Sequence, residues 1–269
     1  MAQDYALKIL SDAGLFELGL TFKGGTALRK YRAGSLGRFS TDLDFAASDP
    51  ALGQMVMEEL NGVELFDVEF QVIEAAGRRA RLIITTPLGS PGIDAMLEIS
   101  PRTAWIRPET MLPIDFPVHH GYEFAQFPVP VMAFEETLAE KLAAFRRRAL
   151  ARDLYDLDWF ARQGAFDEAL VRRLTYLKIY VDVVEDGLGR RPFEPLEDLF
   201  NRSTRDFPPE DIGLLAGEIR IAEWLEAVGS RFRFLTHPVE EEARWSLCDP
   251  KDTRDVSQAI EQLSRTTNE

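Results

Sequence analysis

The stretch LTFKGGTALRK, Leu20 to Lys30, is followed a short way on by RFSTDLDF, Arg38 to Phe45. This order constrains the fold more than any other feature of the chain. Leu20–Lys23 reads as a short strand, Gly24-Gly25 as a turn, and Thr26–Tyr31 as the start of a helix. Phe39–Ala46 alternates as a strand. Alternate side chains of a strand share a face. Asp42 and Asp44 therefore point one way, and Leu43 and Phe45 the other. One face of that strand must be core, and the other must hold two carboxylates about 6.5–7 Å apart at the backbone.

Two such carboxylates repel unless a cation lies between them. Hard oxygen ligands suit Mg²⁺, with Mn²⁺ as the substitute, and Mg²⁺ usually also binds substrate phosphates. Two ions can clamp an in-line phosphoryl displacement. The backbone N–H groups at a helix start favour anions, and glycine lets a phosphate approach the main chain. Gly24, Gly25 and Thr26 are thus candidate phosphate holders, and Asp42 and Asp44 candidate metal ligands. Arg29 and Ser40 join the candidate nucleotide-binding set; Ser40 also suits a turn hydrogen bond.

The strand IDAMLEIS supplies a third carboxylate, Asp94 or Glu98, to position or activate an attacking hydroxyl. Glu98 is preferred, because it lies between Leu97 and Ile99, and a charge in a strand interior needs a partner. Further along, EKLAAFRRRALARDLYDLDWF reads as helix. At about 100° per residue, Lys141, Arg148, Arg152 and Asp156 fall within about 80° of one another. Lys141 can neutralise a triphosphate as charge develops on the leaving group, and Arg148 joins the nucleotide-binding set. Asp156 is the candidate to hold Lys141, with Asp153 and Asp158 as competitors. Ion pairs one helical turn apart are the simpler account of the same pattern.

FKGGTALRK with RFSTDLDF, then Lys141-Leu142-Ala143-Ala144, Arg148 and Arg152-Asp153-Leu154-Tyr155-Asp156, resembles the AbiEii/AbiGii-type nucleotidyltransferase toxins. These belong to the DNA polymerase β-like nucleotidyltransferase superfamily. The segment YRAGSLG makes the gap between the first two motifs longer than usual. The resemblance implies an α+β fold: a polymerase β-like mixed sheet with helices, followed by a mainly helical lobe. It maps the family's lysine and aspartate onto Lys141 and Asp156. It also implies a toxin of a toxin–antitoxin or abortive-infection system, with an NTP donor, an RNA acceptor such as tRNA, and an antitoxin from a neighbouring gene. Other readings are a small-molecule or protein-side-chain acceptor, or a module that binds nucleotide or partner without catalysis.

The remaining pattern divides the chain into a mixed α/β part, 1–132, and a helical part, 133–269. The first is the expected nucleotidyltransferase core, and the second carries the Lys141/Asp156 motif. Further expected elements are helices over Asp4–Phe16, Pro50–Leu60, Asp167–Gly187 and Pro209–Val228. Expected strands are Phe66–Ile73, Arg79–Thr85, Ile93–Ser100 and Ala125–Val131. Phe134–Gly164 reads as a long helix broken near Arg152. The net charge of −14 argues against a broad nucleic-acid binder; Arg146–Arg152 is the local basic cluster open to RNA phosphate. The single cysteine, Cys248, excludes an intrachain disulfide and makes a Cys-based zinc site unexpected. With no signal-peptide pattern and no membrane-length apolar run, a cytoplasmic protein is the expectation.

Overall fold

The computed structural model describes residues 2–87, 89–207 and 218–266. The chain is α+β and forms two compact units. One holds Met1–Ser35, Phe39–Ala104 and Pro108–Met132; the other holds Leu36–Arg38, Trp105–Arg107 and Ala133–Glu269.

The first unit is built on a mixed sheet. Its strands are β1 (Thr21–Lys23), β2 (Leu43–Ala46), β3 (Val63–Leu65), β4 (Val68–Ala76), β5 (Arg79–Thr86), β6 (Gly89–Ser100), β7 (Glu109–Met111) and β8 (Val129–Val131). Their spatial order is β3-β4-β5-β6-β2-β1-β8-β7. β2 runs antiparallel to β1 and parallel to β6. Phe22, Phe45, Leu43, Leu97 and Ile99 line the buried face of these central strands. Helices α1 (Ala2–Asp12) and α3 (Pro50–Leu60) pack against each other, and α2 (Gly24–Leu28) leads out of β1. The sequence sets the start of α3: Asp49 accepts the Ala51 N–H at 2.8 Å and Pro50 occupies the first turn.

The bounds of β2, β4 and β6 differ from the sequence expectation for local reasons. β2 starts at Leu43 instead of Phe39, because the carbonyls of Ser40 and Asp42 bond side chains instead of a strand partner. Gln3 donates to Ser40 O at 2.8 Å and Thr26 to Asp42 O at 2.6 Å. β4 starts at Val68, because Phe66 and Asp67 take positive φ in the turn after β3. β6 runs back to Gly89 through Gly92. A Cβ on Gly92 would stand 2.6 Å from the Ile84 carbonyl, so glycine there lets the two strands stay together.

The second unit is helical: α4 (Phe134–Arg148), α5 (Ala151–Ala161), α6 (Glu168–Val184), α7 (Ile221–Arg231), α8 (Glu240–Trp245) and α9 (Thr253–Thr266). Residues 209–217 of the helix expected over Pro209–Val228 lie outside the described residues. The break in the long helical pattern falls at Ala149, which adopts a left-handed conformation at φ 44°. α4 packs on α6, and Leu138, Leu142 and Phe145 of α4 and Leu174, Leu177 and Val181 of α6 are buried. Glu136 is fully buried on α4, yet satisfied. It accepts the N–H groups of Trp105 and Ile106 at 2.9–3.1 Å and the Lys178 ammonium at 2.9 Å. Among the described residues, no helix is long and apolar enough to cross a membrane.

Candidate active site

Strand register creates the first cluster. Lys23 of β1 is the partner of Asp44 on β2, Asp44 is the partner of Glu98 on β6, and Glu98 is the partner of Arg79 on β5. In-register residues of neighbouring strands share a face. The result is one row of charges across four strands, cation, carboxylate, carboxylate, cation. Arg79 Nη2 donates to Glu98 Oε1 at 2.9 Å. That bond, the Glu98 charge and the more distant charge of Asp44 hold the exposed Arg79 guanidinium above its ordinary pKa. Asp94, the other candidate third carboxylate, sits in register with Ile83 and is gripped by Arg81, with N–O distances of 2.6–2.9 Å.

Asp42 stands one residue ahead of β2. Its Oδ1 accepts the Met96 N–H at 3.1 Å, so a backbone donor on β6 turns this carboxylate. Its own carbonyl takes the Thr26 hydroxyl. Thr26, expected among the phosphate holders, thus has its hydroxyl tied to the strand that carries Asp42, leaving the main chain as its means of meeting an anion. Ser40 is half-buried, and its carbonyl is held by Gln3.

Gly24 closes the cluster. It adopts φ +81°, and a Cβ built on it would lie 2.1 Å from Asp44 Oδ2. Only glycine fits this approach of main chain to carboxylate. Gly25, beside it, is buried at the start of α2. Arg29, one turn further, contacts two aromatic rings, with its Cζ 5.2 Å from the centroid of Phe39 and 5.7 Å from that of Phe116.

The second cluster lies wholly in the helical unit. The Lys141 ammonium donates to Asp156 Oδ2 at 2.6 Å and stands 3.8 Å from Asp153 Oδ1. Sequence left the partner open between these aspartates; the lysine is held by both. Arg38 forms a fork on Asp156 at 3.1–3.3 Å, and Arg148 a fork on Asp153 at 2.6–2.8 Å. The order is Arg38, Asp156, Lys141, Asp153, Arg148, three cations to two carboxylates. Asp158 is not part of it; that carboxylate pairs with Arg162 at 2.8 Å. Burial raises the Asp153 carboxyl, but the Arg148 hydrogen bonds and the charges of Lys141, Arg148 and Arg38 outweigh it, leaving it below the ordinary carboxylate value. Arg38 escaped sequence reading. It precedes the Asp-Leu-Asp strand in the chain but joins Asp156, 118 positions away.

Three arginines of the basic cluster pair with carboxylates of the chain. Arg146 is buried, paired with Asp198 at 2.9 Å and bonded to the carbonyl of Arg190. Arg147 reaches Asp182 at 3.3 Å, and Arg148 is spent on Asp153.

Residues 8–234 match the family model for the nucleotidyl transferase AbiEii toxin of type IV toxin–antitoxin systems. MenT4, the nucleotidyltransferase toxin Rv2826c from Mycobacterium tuberculosis H37Rv, is 44% identical, with TM-score 0.91 over 98% of this chain and 91% of its own. JHP933 from Helicobacter pylori is more distant, 21% identical with TM-score 0.43 over 88% of this chain and 95% of its own. No curated protein matches the chain.

Proposed function

Because the chain belongs to the AbiEii nucleotidyl transferase toxin family of type IV toxin–antitoxin systems, we propose that it moves a nucleoside monophosphate from an NTP to an acceptor hydroxyl, with a divalent cation at Asp42 and Asp44. The acceptor we propose is the RNA of tRNA, and an antitoxin is the protein partner the family implies. The row Lys23–Asp44–Glu98–Arg79 carries this reading, together with Asp42 turned by the Met96 N–H.

The residues fit the cation. Gly24 leaves a space beside Asp44 Oδ2 that any Cβ would fill. Among the described residues, no three His, Cys, Asp or Glu side chains gather into a metal cage. A cation at Asp42 and Asp44 would complete its oxygen shell with water and triphosphate oxygens, the habit of Mg²⁺; Mn²⁺ can replace it. When bound, it would neutralise the triphosphate and the charge that develops on transfer.

The chain's own residues supply the rest. Gly24 and Gly25 let phosphate oxygens approach the main chain at the start of α2. Glu98 is held on Oε1 by Arg79, which leaves Oε2 to accept the proton of the acceptor hydroxyl. The hydroxyl oxygen attacks the α-phosphorus, the bond to the β-phosphate bridging oxygen breaks, and pyrophosphate leaves. Lys141 is assigned to the triphosphate charge, with Asp156 beside it and Arg148 contributing through the same network.

One observation favours another acceptor. Arg146, Arg147 and Arg148 are all engaged with carboxylates of the chain itself, and the net charge is −14. A small molecule or a protein side chain needs no basic groove. Incubation with each labelled NTP and either tRNA or total protein separates the two. Label in tRNA supports the first reading; label in protein or in a small product alone supports the second.

A further inference from the structure

We propose that Phe39 is the platform on which the base of the incoming nucleotide stacks, with the Arg29 guanidinium fixed behind its ring. The proposal rests on the assignment of Asp42 and Asp44 to the transfer site and adds the recognition of the base.

An exposed apolar side chain is ordinary by itself. Phe39, 45% exposed, is unusual in what lies behind it. Arg29 lies over its ring at 5.2 Å and over that of Phe116 at 5.7 Å. The Arg29 Nε is buried without a hydrogen-bond partner. Among the described residues, aromatic rings are the neighbours of this guanidinium, and no carboxylate pairs with it. Arg32, Arg79 and Arg81 of the same unit each hold a carboxylate. In a chain with 45 acidic residues against 31 basic ones, an arginine kept from a carboxylate leaves positive potential for a ligand anion. The ring it stiffens is left with an open surface.

The mounting also points to the nucleotide. Thr26 of α2 bonds the carbonyl of Asp42, and Gln3 of α1 bonds that of Ser40, so the segment from Phe39 to Asp42 is tied to α1 and α2. Arg29 follows α2 directly and backs Phe39. The glycines and aspartates proposed to hold phosphate and metal are therefore linked to the aromatic ring through these bonds and the Arg29 contact. Bases stack on exposed aromatic rings with little regard to identity, because every base has a π face. A cation behind the ring strengthens such a site.

The test measures NTP binding in the presence of Mg²⁺ by calorimetry, with inorganic triphosphate as a ligand that has no base. Phe39→Ala is expected to raise the Kd for NTP by about tenfold or more, in line with roughly 1–3 kcal/mol per stacked base. The Kd for inorganic triphosphate should not move, and Phe39→Trp should restore NTP binding. An equal loss for both ligands would mean that the ring only supports the loop, and would overturn the platform. Unchanged NTP binding with a raised KM for RNA would give the ring to the acceptor instead, and would overturn it too. A wild-type protein that transfers label while Phe39→Ala binds NTP normally removes the platform alone. A wild-type protein that neither binds NTP nor transfers label removes the transferase assignment with it.

Discussion

Gly24 is the residue on which the site's geometry turns. Its φ of +81° is costly for any other residue, and a Cβ would collide with the Asp44 carboxylate. Gly24→Ala is expected to lose at least tenfold in kcat/KM while urea unfolding records a loss of only about 1–2 kcal/mol. Wild-type activity in this variant would show that nothing needs to approach Asp44 there. The Gly-Gly and Asp-x-Asp residues stand out in the sequence because the pattern that marks them is local. Arg38 could not, because its partner Asp156 is distant in the chain and no periodicity links them. The network around Asp153 gives a second residue-scale prediction. Its folded pKa lies below the ordinary 3.8. A depressed carboxyl stabilises the fold above its unfolded pKa, and that contribution is lost as pH falls through the folded value. The stability advantage of wild type over Asp153→Asn should therefore hold from pH 7 to about pH 4 and shrink below it. Urea midpoints at pH 7 and pH 3 check this; an equal gap at both would contradict it.

At the scale of elements, legibility followed length and periodicity. α3 runs from Pro50 to Leu60 as read, because Asp49 and Pro50 mark its start and its apolar residues keep one face. The short strands β3 and β7 have no counterpart among the expected elements. β2 was read too long, because its alternation continues into residues whose carbonyls are claimed by Gln3 and Thr26. α4 and α5 meet through Lys141, which sits between two buried carboxylates. Removing one partner of a buried network leaves charge uncompensated, at a cost of about 3–5 kcal/mol. Lys141→Met should lose stability of that order in urea unfolding, whatever it does to catalysis. A loss under about 1 kcal/mol would mean that the lysine is not needed to hold Asp153 and Asp156. In the sheet, Gly92→Ala should cost about 1–3 kcal/mol, because its methyl meets the Ile84 carbonyl. An unchanged urea midpoint would contradict the close pairing of β5 and β6.

For the whole molecule, the change from alternating strands to helical spacing announced an α+β chain, and the family comparison agrees. The boundary proposed at 132/133 leaves out two short segments, Leu36–Arg38 and Trp105–Arg107, which cluster with the helical unit. Their side-chain and backbone partners, Asp156 and Glu136, lie far along the chain. In the basic cluster Arg146–Arg152, the first three arginines meet carboxylates of the chain, which charge in a sequence does not reveal. Divalent-cation-dependent nucleotidyl transfer at Asp42 and Asp44 is the proposed chemistry of the whole molecule. The most direct measurement incubates the purified protein with Mg²⁺, each labelled NTP in turn and total tRNA, beside the Asp42→Ala/Asp44→Ala variant. Label is expected in RNA from the wild type, with its loss on adding chelator and in a variant that keeps the wild-type circular dichroism spectrum. Undiminished labelling by the folded variant would contradict this chemistry.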